Sequence, residues 1–311
     1  MISFLRACCF IAFCFYTLAI QAQSTEQRVE VTYVKGNTPG EYSFRATNPN
    51  PCDYTVKVDV TDLTGLSSSS SLPFVGVVRP GENSLFTLKP SSPNSNGTFR
   101  YSYTYLRGRS LRAEPKPFVY LLPVAPGKPC LVQETQYIGT ALGLKGDALS
   151  NFYSLSIRME AGDSVFAARR GVITGLIDGI THTQKDAMYV RNVNQVDVFH
   201  NDGTFGRYAR LKAGSIAVQD GDHVEAGQFL GVVSDELSQK PSLFFTVFYL
   251  PLLNAQQQTA YRYAHVRPKF VAQNQESGDM LIPNKTYVAI RPMELVTQEM
   301  SKRDIKNYFK K

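Results

Sequence analysis

The chain has 311 residues, 43% hydrophobic and 19% charged, a balance that excludes intrinsic disorder and leaves room for two globular domains. Its 17 Tyr and 19 Phe, with no Trp, favour strands over helices. The net charge of +7 is diffuse and gathers only at Lys302, Arg303, Lys306, Lys310 and Lys311; no nucleic-acid partner is expected, and the charge suits either an anionic envelope surface or plain solubility.

At the N-terminus, Arg6 precedes an apolar run over 7–20, and Gln21-Ala22-Gln23 follows. This is the pattern of a secretory signal peptide over 1–22, cleaved after Ala22, and it implies a periplasmic or secreted protein. The run is shorter than the roughly 20 apolar residues that cross a bilayer, and no later stretch reaches that length, so no transmembrane segment is expected in the mature chain. Cleavage removes Cys8, Cys9 and Cys14 and leaves Cys52 and Cys130. Two cysteines in an exported chain are expected to form a disulfide, the alternative being two buried thiols.

Over 23–125 the chain alternates as half-buried strands do. Tyr54, Val56, Val58 and Val60 interleave with Thr55, Lys57, Asp59 and Thr61, and Phe99, Tyr101, Tyr103 and Tyr105 interleave with Arg100, Ser102 and Thr104. Turns and a Ser-rich loop separate them, which predicts a small β-sandwich with a structural or partner-binding role. The segment 123–129 (PVAPGKP) reads as a linker into a second domain over 126–292. There, strands are predicted over 163–175, 188–199, 215–218, 228–233 and 243–249, with a Gln-rich loop at 255–260. Leu295, Met300, Ile305 and Phe309 predict one helical segment within 293–311. The expected fold class is all-β with a short C-terminal helix.

Four segments of the second domain follow one another in a recognisable order. Gly162-Asp163-Ser164-Val165-Phe166-Ala167-Ala168 leads through Gly171 to Val172. Next come Val198-Phe199-His200-Asn201-Asp202-Gly203, then Tyr208-Ala209-Arg210-Leu211, then Val218 through Gly221-Asp222 and Gly227-Gln228 to Gly231. Together they resemble the lysostaphin/LytM-type zinc endopeptidases that cut peptidoglycan cross-bridges, and they imply the antiparallel β-sheet domain of that family, here preceded by a β-sandwich as in a secreted bacterial branch.

The resemblance also implies a zinc site: a His and an Asp early in the domain, the second His of an H-L-H motif late in it, and two further histidines acting on water and the oxyanion. Such a metal needs three protein ligands and an open position for the water it activates. The aspartate position falls on Ser156, with no histidine anywhere upstream. Ser242-Leu243-Phe244 stands in place of H-L-H, and Arg210 in place of the histidine in Y-A-H-L. The whole chain has four histidines, His182, His200, His223 and His265, none in the ligand segments. His182 is expected in a loop, His223 solvated, His265 at the surface, and His200 at a structural or groove-edge place. No zinc or other cofactor is therefore expected.

These readings imply a catalytically inactive relative with a vestigial groove of Phe152, Ser156, His200, Tyr208, Arg210, Ser242 and Phe244, floored partly by Phe152 and Phe244. Peptidoglycan or an envelope protein would bind there, and degenerate members of the family imply a role in regulating wall hydrolases. Arg210 either contacts that partner or pairs with a nearby acid and fills the metal's space. Two other functions stay open: an active zinc endopeptidase with different ligands, and a structural subunit of an envelope complex.

Overall fold

The computed structural model describes residues 26–36, 38–93, 97–141, 143–182, 192–237, 240–253 and 263–310. The expected signal peptide, the 255–260 loop and the start of the expected 188–199 strand lie outside the described residues.

The alternation near the N-terminus does build two facing sheets. One orders Glu30–Lys35, Tyr42–Asn48, Gly81–Pro90 and Leu66–Ser68, and the other orders Phe74–Val78, Tyr54–Thr64 and Thr98–Arg107. Phe44, Ala46 and Leu88 of the first meet Tyr54, Val56, Val58 and Val78 of the second in one core. Aromatic rings close it: Phe44 stacks on Phe86 at 4.4 Å, and Tyr101 meets Phe44 edge-on at 5.2 Å. Thr55 breaks the expected polar-out pattern. It is buried because its hydroxyl donates to Gly108 O and accepts from Ser110 N, at 2.8 and 2.9 Å.

A larger antiparallel sheet follows. Its strands run in the order His223–Val224, Gly171–Ile177, Gln195–Phe199, Thr204–Ala209, Ser242–Pro251, Leu155–Arg158, Pro129–Glu134 and Lys285–Val288. The central strand Ser242–Pro251 pairs on one side with Thr204–Ala209 and on the other with Leu155–Arg158. The two-residue period gives this sheet two unlike faces. Leu155, Ile157, Val196, Val198, Tyr208, Leu243, Phe245 and Val247 enter its core with Tyr120 and Ile173. In register on the opposite face lie Ser156, Arg207, Ala209, Phe244 and Thr246.

Part of that opposite face is covered by the sandwich. Phe199, Phe205 and Phe248 belong to the sandwich core, not to the core behind the sheet. Arg107, the last residue of a sandwich strand, donates to Asp197 of the sheet at 2.5 Å, and Arg207 grips the same carboxylate through two nitrogens at 2.7 and 2.8 Å. Ser110–Leu111 also pairs in parallel with Leu250 and Pro251, and Val119–Leu121 with Lys269–Ala272.

Three expectations change. Cys52 and Cys130 are both free and buried, Cys52 in the sandwich core and Cys130 in the core behind the sheet, so the expected disulfide is absent. Burial pushes each thiol up to about 12. The C-terminal helix is two helices, Met293–Thr297 and Lys302–Tyr308, because Ser301 starts a new one with a capping box to Asp304. Two short helices, Gln136–Ala141 and Asp147–Ser150, stand within a domain expected to be all-β.

Candidate functional site

The strand Thr204–Ala209 ends where Arg210 enters the left-handed region, at φ +73°. A side chain there costs about 1–2 kcal/mol, so neighbours must hold it. They do: Arg210 N and Leu211 N both donate to Asn194 O at 3.0 and 3.1 Å, and Arg210 O accepts from Ser234 N at 2.9 Å. Asn194 is itself fixed, donating to Ile180 O and Leu211 O.

From this turn the Arg210 guanidinium lies over Phe244, with Cζ 4.0 Å from the ring centre, and Nη1 donates to Ser242 Oγ at 3.2 Å. Phe244 is the cross-strand partner of Ser156 on one side and of Ala209 on the other. Four of the predicted residues, Ser156, Arg210, Ser242 and Phe244, thus form one cluster on the face of the sheet opposite its core. Arg210 is only 8% exposed. Burial lowers its pKa, opposed only by the nearby Tyr137 phenol. Among the described residues no carboxylate lies within ion-pair distance of it.

The other three predicted residues lie elsewhere. Tyr208 sits on the core face because it neighbours Ala209 in a two-residue alternation. It is fully buried opposite Phe245, and its hydroxyl accepts from Ala168 N at 2.7 Å. His200 is 0% exposed, with Nδ1 2.7 Å from Arg170 O and Nε2 without a partner among the described residues. Its N–H therefore sits on Nδ1, and burial, reinforced by the Arg169 cation, pushes its pKa down and keeps the ring neutral. Phe152 is buried against His265, ring centres 4.7 Å apart.

Sequence reading missed the residues that frame the cluster. Tyr137, on the short helix Gln136–Ala141, is 45% exposed beside Arg210. His265 was expected at the surface but is half-buried, 3.1 Å from Thr246 Oγ1, and burial lowers it to about 4. Only the proximity of Thr246 to the Ser242-Leu243-Phe244 segment hinted at this extension of the face.

The cluster does not fit zinc. It offers two hydroxyls, an aromatic ring and a guanidinium, which is a cation and accepts no metal. Among the described residues no three His, Cys, Asp or Glu side chains come together in a way that could hold a metal ion. Chemically, a cationic fork over an aromatic ring and beside a hydroxyl suits a planar anion.

Residues 151–260 match the family model Peptidase family M23. No curated protein matches the chain. Among solved structures, it is similar to a Ruminococcus gnavus protein described as a glycyl-glycine endopeptidase lytM, at 14% identity and TM-score 0.28, over 46% of this chain and 57% of that one. The chain thus spans little more than half of that protein. It is similar to the deep-sea M23 metalloprotease Pseudoalterin, at 20% identity and TM-score 0.32, over 56% of this chain and 97% of that one. It is also similar to Helicobacter pylori Csd3, at 13% identity and TM-score 0.28, over 90% of this chain and 84% of that one.

Proposed function

Residues 151–260 form a peptidase family M23 domain, and from that premise we propose that this chain binds peptidoglycan peptides in the cell envelope without cleaving them. One observation carries the reading: Arg210 lies across Ser242 and Phe244, the segment where the family's late zinc ligand would stand. A metal-activated water needs an open coordination position and a negative or neutral ligand set. A cation with a phenylalanine beneath it supports neither. The same arrangement supports recognition, because it pairs a cation with an aromatic ring and its backbone is held in place. The signal-peptide pattern over 1–22 supports export, and no described helix is long and apolar enough to cross a membrane. Bound to the wall, such a protein would place its sandwich where a wall hydrolase could be regulated.

Sedimentation with purified sacculi tests the reading. The mature chain is expected in the pellet, with no peptides released into the supernatant and far less than one zinc per chain by elemental analysis. Release of peptides, or near-unit zinc lost on His→Ala substitution, would overturn it in favour of an active endopeptidase. Absence from the pellet together with co-purification of an envelope protein would point to a structural subunit.

A further inference from the structure

Arg169 and Arg210 are the buried arginines among the described residues. Arg169 donates to Glu299 through Nε and Nη2 at 2.9 and 2.7 Å, and through Nη1 to Asp202 at 2.7 Å and to the Tyr120 hydroxyl at 3.2 Å. Arg210 has a single described side-chain acceptor, Ser242 Oγ. A guanidinium carries five N–H donors and a charge that does not leave it at any physiological pH. Burying that charge without a counterion is costly, and proteins usually avoid it. Here the chain accepts a second cost as well, a left-handed backbone at a residue other than glycine. Both features fix the fork in place before any ligand arrives.

The surroundings define what would complete it. One cation calls for one negative charge. A planar fork over an aromatic ring matches the planar, two-oxygen geometry of a carboxylate. The hydroxyl of Ser242 meets the fork, Ser156 lies across from Phe244 on the next strand, and the exposed Tyr137 lies near the cation. A phosphate at neutral pH carries more charge than a single arginine balances.

Resting on the reading that this groove recognises wall peptides, we propose that Arg210 is a carboxylate-specificity residue: the cluster Ser156–Arg210–Ser242–Phe244 takes peptides through a free carboxylate. The consequence is selectivity. The protein distinguishes wall peptides whose carboxylates are free from those in which they are amidated or spent in cross-links.

Muropeptides released from sacculi by a muramidase test this, titrated calorimetrically as the free acids and again after carbodiimide-driven amidation with ammonia. The mature protein is expected to bind the free acids at least about tenfold more tightly, the scale of one charged hydrogen-bonded pair. Inorganic phosphate at millimolar concentration is expected not to compete. Arg210→Met should abolish the preference, and Arg210→Lys should retain only part of it, since a lysine keeps the charge and loses the fork. If Arg210→Met misfolds, Arg210→Gly serves instead, because glycine adopts the left-handed turn without strain. Equal affinity for acids and amides overturns the carboxylate assignment while leaving peptide recognition in place, as does a preference that survives loss of Arg210. Failure of both muropeptide forms to bind overturns it too, and if sacculi also fail to bind, the proposed function falls with it.

Discussion

Arg169 and Arg210 are buried to a similar depth, at 3% and 8% exposure, yet their surroundings differ in kind. The first is enclosed by two carboxylates and a phenol and stacks on Phe118 at 3.6 Å. Burial alone would weaken its cation, but Glu299, Tyr120 and Asp202 outweigh that and raise its pKa. The second has burial working against it and almost nothing in return. Arg169 ties the C-terminal helices to the sheet, through Glu299 beside Met293–Thr297, so its charge is used in folding. Among the described residues no acid pairs with Arg210. On the proposed reading that cation is kept for a ligand, and the contrast between the two residues would then separate scaffold from site more clearly than burial does.

The largest expected effect lies on the scaffold side. Arg169→Met leaves the half-buried Asp202 and Glu299 without their cation, and should lower unfolding free energy in urea by about 3 kcal/mol, the low end for a broken buried pair. Loss of under about 1 kcal/mol would erase the contrast from that side. Asp197 comes next. Burial disfavours its charge, but Arg207 and Arg107 outweigh burial and hold it at about 2. A carboxylate lowered on folding stabilises above its unfolded pKa of about 3.9, and that contribution is lost as pH falls from about 4 to 2. Asp197→Asn should remove about 2 kcal/mol at neutral pH and flatten the acid limb of the stability profile over that window.

A smaller effect belongs to the histidines. His265 is lowered to about 4 by burial, so the folded chain holds it neutral and the unfolded chain takes up a proton from about pH 6.5 downward. Its contribution is complete above pH 6.5 and drains away towards pH 4. His265→Gln should flatten stability between those values; an unchanged slope would show the ring to be solvated. The smallest effect is predicted for Arg210. Replacing it by Met should shift stability by less than about 1 kcal/mol, in either direction, because no carboxylate is orphaned. A loss as large as that of Arg169→Met would make Arg210 scaffold too.

Much of this was readable from residue patterns. The run Tyr54, Val56, Val58 states its own strand, and the four glycine-marked segments between Gly162 and Gly231 identify the second sheet, because glycine spacing and alternation are local properties. The substitutions Ser156, Arg210, Ser242 and Phe244 were legible for the same reason, and they do converge. Tyr208 was misplaced because a motif gives order along the chain, while the face a residue occupies depends on pairing: Tyr208 falls opposite Phe245 and so points into the core. The pairing of Cys52 with Cys130 failed because their separation depends on how two cores are arranged, which no spacing encodes. Tyr137 was invisible because the short helix Gln136–Ala141 has no periodic stretch long enough to announce itself.

The strand Ser242–Pro251 runs from beneath Arg210 to the parallel pairing with Ser110–Leu111. At about 3.3 Å per residue, it spans about 33 Å, hydrogen-bonded to neighbours along much of its length. Such a ladder has no place to hinge. A pull applied at the Arg210 end would load the ladder lengthwise, in shear across many hydrogen bonds at once.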